Sequence, residues 1–143
     1  MSYKGKYKLK NPQKYNGNPC NVIYRSLWER KYMVKCDTDE NILEWSSEEI
    51  VIPYLSPVDG RWHRYFPDFL VKIKTSKGVR TTMIEVKPKY QTQPPVQPSR
   101  KTRKFLSEVM TWGVNQAKWK SAKEYCLDRG WDFQIITEEH LGL

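Results

Sequence analysis

The sequence predicts an α/β chain of the α+β type, one mixed sheet flanked by helices, and three observations carry that prediction. Apolar segments of strand length, from ILEWSS to MIEVK, fill the middle of the chain. Two of them are separated only by Ser76, Lys77 and Gly78, which suits an antiparallel hairpin and is too short for a crossover. Helical text stands on both sides of this block, and a last apolar stretch, WDFQII, follows the second helical region. With 143 residues and 13% aromatics, including six Trp and nine Tyr, the chain fits one ordinary domain and is too aromatic to be disordered.

Residues 1–20 read as a flexible basic arm. Lys4, Lys6, Lys8, Lys10 and Lys14 stand among Tyr3, Tyr7 and Tyr15, Gly and Pro interrupt, and no acidic residue occurs through Cys20. Residues 21–143 form the domain proper. Ser26 to Cys36, SLWERKYMVKC, is helical, with Ser26 as the N-terminal cap and Asn21 as its rival. The polar run from Asp37 to Asn41 ends it. ILEWSS and EEIVIPYL are the first two strands, and Pro57, Asp59 and Gly60 make a turn. RYFPDFLVKIK is expected as a single third strand and VRTTMIEVK as a fourth, stopped by Pro88. The Pro- and Gln-rich segment over 88–101 has almost nothing to bury and reads as a mobile surface loop. Two helices follow, Thr102 to Met110 and Val114 to Arg129, the second capped by Gly130, and WDFQIITEEHLGL supplies a fifth strand and a terminal turn.

Composition narrows the function. Twenty-five Lys and Arg against sixteen Asp and Glu give a net charge of +9, which favours a polyanionic partner such as nucleic acid. Three widely spaced cysteines without a CxxC pair, and only two histidines, argue against a structural zinc site or a disulfide framework and for a reducing compartment. No apolar run approaches the length of a membrane span, and the basic opening lacks the apolar stretch of a secretory signal. Neither a membrane nor a small-molecule cofactor is expected.

The residues that carry chemistry lie on adjoining elements. Alternation along RYFPDFLV places Phe66, Asp68 and Leu70 on one face, and alternation along MIEVK places Glu85 and Lys87 together. Asp68 and Glu85 are hard oxygen donors suited to Mg²⁺ or Mn²⁺, and Lys87 is placed to hold water or to offset charge on a phosphate. A carboxylate set in text as apolar as YFPDFLV needs a partner or a metal. On the first helix, Glu29 has Arg25, Tyr32, Met33 and Cys36 as neighbours, so it points toward the sheet; an ion pair with Arg25 is an equal alternative. In the later helix the inward stripe reads Trp112, Asn115, Gln116, Trp119, Ala122 and Cys126, with Lys118 and Lys120 flanking it.

Taken together, YRSLWE, RYFPDFLV and MIEVKPK resemble the PD-(D/E)xK nuclease superfamily, in which a helical Glu precedes a strand Asp and an ExK strand. Here these elements are Glu29, Pro67-Asp68 and Glu85-Val86-Lys87. NQAKWKSAKEYCLDRGWDFQIITEEHL looks like the amide-bearing helix and last strand of the TnsA-type transposase endonucleases. From MSYKGKYKLKNPQKY through YRSLWERKY and SSEEIVIPY to HRYFPDF, the chain is similar to the head completion nucleases of T-even-type tailed phages.

That resemblance implies a restriction-endonuclease-like fold and a divalent-metal-dependent nuclease of double-stranded DNA. It also implies a role in finishing the packaged head in the host cytoplasm or on the virion, beside head, portal or neck proteins. Asp68, Glu85 and Glu29 would hold the metal and Lys87 would orient the attacking water. Gln116 would take the helix position, with Asn115 and Lys118 as close alternatives. Charge makes Lys4, Lys6, Lys8, Lys10, Arg25, Arg100, Lys101, Arg103, Lys104 and Lys118 the candidate DNA contacts. The competing readings are a catalytically silent DNA-binding plug or adaptor of the head, and a plain nucleic-acid-binding module.

Overall fold

Pro67 decides how the middle of the chain divides. Without an amide hydrogen it cannot donate to a ladder, so a strand that reaches it must stop or change partners. In the computed structural model, which describes residues 4–143, the single strand expected over RYFPDFLVKIK is accordingly two strands in different sheets; Tyr3 of the basic arm lies outside the described residues. The elements are β1 (Gly5–Lys6), β2 (Ile23–Tyr24), α1 (Leu27–Thr38), β3 (Ile42–Ser47), β4 (Ile52–Leu55), β5 (Trp62–Tyr65), β6 (Phe69–Thr75), β7 (Gly78–Val86), α2 (Arg103–Arg129) and β8 (Asp132–Ile136).

The central sheet has the order β3-β6-β7-β8. β3, β6 and β7 are antiparallel neighbours, and β8 returns parallel to β7 after the α2 crossover, so the sheet is mixed. The expected hairpin is β6–β7, with Thr75 opposite Gly78 and the glycine at φ of 110°, a backbone that a side chain would strain. β4 and β5 form a separate hairpin ending at Ile52 opposite Tyr65. This is the restriction-endonuclease-like α+β arrangement that the sequence predicted.

Each face of the sheet buries its own core. One face packs Phe69, Val71, Ile84 and Val86 against Tyr32, Met33 and Cys36 of α1. The other packs Met83 against Trp119, Ala122 and Cys126 of α2 and against Ile52, Tyr54 and Tyr65 of the β4–β5 hairpin. Strand alternation does the sorting: along β7, Ile84 and Val86 belong to the α1 side while Met83 and Glu85 face α2. An acid is thereby threaded into an otherwise apolar strand.

The helix caps follow the sequence. Ser26 accepts the Glu29 amide at 3.1 Å and its hydroxyl donates to the Glu29 carboxylate at 3.2 Å, a reciprocal arrangement that excludes Asn21 as the cap. Gly130 closes α2 at φ of 69°, in the left-handed conformation. The two helices expected over 102–129 are one helix of 27 residues. A single Gly113 costs about 1 kcal/mol relative to Ala, too little to break a helix whose second half buries Trp119, Ala122 and Cys126.

The arm is corrected as well. From residue 4 on it is packed against the domain: Tyr7 and Tyr15 are each 7% exposed and belong to the α1-side core. Its anchor is Asp37, in the last turn of α1 and fully buried. The Asp37 carboxylate accepts the Tyr7 hydroxyl at 2.9 Å and the Lys10 and Asn11 amides at 2.8 and 2.9 Å. An acid at a helix C-terminus opposes the helix dipole, and these donors offset that cost.

Candidate active site

The acidic residues meet where α1 begins, β3 ends and β6 begins. Asp68 fills the gap between β5 and β6, and its carboxylate accepts the Val86 amide at 2.8 Å, which ties it to the end of β7. Its carbonyl accepts the amide of Glu48, just beyond β3, at 3.2 Å. Glu48 has φ of 55° and is the only non-glycine residue in the left-handed region among the described residues. That conformation costs about 1–2 kcal/mol and turns the Glu48 side chain toward α1.

Glu29, Glu48 and Asp68 each present one carboxylate oxygen, and the three oxygens lie within 4.8 Å of one another. Three carboxylate oxygens gathered this closely are candidate ligands for one small divalent cation. Without a cation the charges must be relieved by protons. Burial, then the neighbouring Glu85 and Glu29 charges, push Asp68 well above the ordinary carboxylate range, against the Val86 amide. Burial raises Glu29 as well, with the Ser26 hydrogen bond opposing. Such a set of hard, desolvated donors fits a divalent metal.

Glu85 stands beside this trio, against Asp68, and is also fastened on its other side. One of its oxygens accepts the Tyr65 hydroxyl at 2.5 Å and the Trp119 indole at 3.2 Å, and the residue is 4% exposed. Glu85 also adjoins Asp68, whose pKa its charge and hydrogen bond raise, so Glu48 joins the expected Glu29, Asp68 and Glu85 as a further acid of the cluster. Sequence reasoning missed Glu48; its only mark there is the Glu48-Glu49 pair between two apolar strands. Tyr65 stays a neutral donor, because desolvation and the Glu85 charge push its hydroxyl far above the usual tyrosine range.

Two lysines face the acids. Lys87 follows β7, its amide held by the Ile136 carbonyl at 2.9 Å, and its side chain lines a cleft with Arg103, Asn115 and Lys118. Lys118 is half-buried over the rings of Tyr54 and Tyr65, at 5.7 and 5.6 Å. Burial and the nearby Lys87 lower its pKa, while Glu85 and Asp68 oppose. Negative and positive groups thus share one end of the sheet, as a phosphodiester beside a cation requires.

Other expected residues fall away from the centre. Gln116 is exposed, and the buried amide is Asn115, 4% exposed. The inward stripe of α2 takes in Asn115 and not Gln116, because a shift of one position turns a helix by about 100° and carries Gln116 out of the cleft. Arg25, expected as a DNA contact, grips Glu48 with two bonds of 2.9 and 3.2 Å while its side chain stays half exposed. The same pairing replaces the ion pair with Glu29. Lys6, Lys8 and Lys10 line a separate groove with Arg30, and Lys4 is exposed. Arg100, Lys101 and Lys104 are exposed around the start of α2, where Arg103 reaches the cleft.

A mixed sheet whose open end gathers carboxylates opposite two lysines has the form of a nuclease domain. The chain belongs to the TnsA-like endonuclease N-terminal family, whose pattern matches residues 39–138 and so takes in Glu48, Asp68, Glu85, Lys87 and Lys118. It is similar to the "Head completion nuclease" of Enterobacteria phage T4, 42% identical over 145 aligned positions that cover 99% of this chain and 95% of that protein. No solved structure matches significantly.

Proposed function

We propose that this chain is a divalent-metal-dependent nuclease that hydrolyses phosphodiester bonds of double-stranded DNA during completion of a phage head. The observation that carries the reading is the convergence of Glu29, Glu48 and Asp68 within 4.8 Å, beside Glu85 and opposite Lys87 and Lys118. Glu29, Glu48 and Asp68 would hold the cation, and Glu85, locked by Tyr65 and Trp119, keeps the Asp68 side of the cluster negative. When bound, Mg²⁺ or Mn²⁺ would polarise the phosphate and lower the pKa of a bound water.

The chain's own groups supply the rest. Lys87 orients the attacking water and offsets charge on the phosphate, Lys118 and Arg103 hold phosphates along the cleft, and Arg25 keeps Glu48 aimed at its neighbours. The likeness to a phage head completion nuclease supports action in the host cytoplasm during assembly, beside head, portal or neck proteins.

The test is incubation of the protein with supercoiled and linear DNA in Mg²⁺, Mn²⁺ or EDTA, alongside folded Asp68→Asn and Lys87→Ala variants. Cleavage in metal, abolished by EDTA and reduced at least ~100-fold in both variants, is expected. Binding without cleavage under every metal would place the protein with the structural plugs of the head instead.

A further inference from the structure

Beside the cleft lies a second cavity, about 170 Å³, between the segment after β7 and the first half of α2. The two share Ser107, Thr111 and Asn115 but differ in chemistry. The cleft carries Lys87, Arg103 and Lys118. The cavity has no cationic side chain and one carboxylate, Glu108, so it repels phosphate. Its walls offer two aromatic surfaces, Tyr90 and Trp112, and the amides of Gln91 and Gln93. At its border with the cleft stands Asn115, 4% exposed, whose side chain makes no hydrogen bond among the described residues. Its amide atoms are not sealed from solvent and stand open to a ligand in the cavity.

We infer that this cavity receives a single unpaired nucleobase next to the phosphate being cut, so that the substrate class is DNA carrying an unpaired nucleotide. The inference rests on the nuclease reading for the position of that phosphate. The lining matches a base and not a sugar-phosphate: aromatic faces for stacking, amides and one carboxylate for the hydrogen-bonding edge, and no positive charge. Tyr90 is 72% exposed, an apolar ring without a packing role that would explain its presence. Phosphates of the same strand would run along the adjoining lysine-lined cleft, with Asn115 at the junction.

The experiment measures binding by fluorescence anisotropy with Ca²⁺ in place of Mg²⁺. It uses three duplexes: fully paired, with one unpaired nucleotide, and with an abasic site at that position. The unpaired base is expected to bind about tenfold tighter than both the paired and the abasic duplex, and Tyr90→Ala and Asn115→Ala are expected to remove most of that preference. Because Tyr90 lies on the surface, its variant folds normally and keeps the test decisive if Asn115→Ala does not. Equal binding of abasic and unpaired duplexes, or a preference untouched by Tyr90→Ala, overturns the inference. Failure of the nuclease reading would show separately, as absence of cleavage in Mg²⁺ and Mn²⁺ with the base preference intact.

Discussion

Replacing Asp68 with asparagine is expected to make the metal-free protein more stable. Three carboxylate oxygens lie within 4.8 Å, and each fully ionised pair at that distance repels by about 3.5 kcal/mol at an effective dielectric constant near 20. The neutral amide would remove two of the three repulsions while keeping an oxygen to accept the Val86 amide hydrogen. Protonation of Asp68 and the Arg25–Glu48 pair already relieve part of the strain, so the net gain is about 1–3 kcal/mol, a rise in Tm of roughly 3–10 °C.

The pH dependence fixes the sign. Asp68 has a folded-state pKa above its unfolded value, so its contribution to stability is present below the unfolded pKa and is lost as pH rises through the folded one. The advantage of Asp68→Asn therefore widens toward alkaline pH. Thermal melts in EDTA and in saturating Mn²⁺, at about pH 5 and about pH 8, give the comparison. Mn²⁺ should raise the Tm of the wild type most at the higher pH and the variant much less. A variant less stable than wild type in EDTA, or an equal Mn²⁺ shift in both, would refute the reasoning.

Three further outcomes are expected. Asp37→Ala removes a buried anion that holds Tyr7, Lys10 and Asn11, and chemical denaturation should show a loss of about 3–5 kcal/mol; a loss below ~1 kcal/mol would return the N-terminal segment to a loose arm. Gln116→Ala, on the exposed side of α2, should cleave DNA within about twofold of wild type, whereas Lys118→Ala in the cleft should lose at least ~10-fold in steady-state assays. Charge reversal at Lys101, Arg103 and Lys104 should weaken DNA binding and flatten its dependence on salt, read from affinities at several salt concentrations; an unchanged slope would remove them from the interface.

What the sequence disclosed and what it hid divide along a physical line. Features decided by neighbours in the chain were legible: the Ser26 cap, the Ser76-Lys77-Gly78 hairpin and the Gly130 terminus. Pro67 signalled a break, yet the alternation of RYFPDFLV masked it, because the two halves keep a strand pattern while pairing with different partners.

The hidden features depend on distant contacts. Glu48 enters the site through a left-handed backbone and a guanidinium 23 positions earlier, neither of which has a local sign. The arm looked loose because its donors belong to the backbone of Lys10 and Asn11, and their acceptor, Asp37, read as nothing more than a helix-ending acid. Asn115 and Gln116 are adjacent, and only the packing of Trp119 and Cys126 against the sheet settles which of them faces inward.

The most direct test of the metal site is the position of Mn²⁺ in crystals of the protein, located by anomalous diffraction. A peak within ligand distance of oxygens from Glu29, Glu48 and Asp68, absent in Asp68→Asn, is the expected result. Metal-dependent cleavage by a protein whose Mn²⁺ binds elsewhere, leaving those three carboxylates empty, would contradict it.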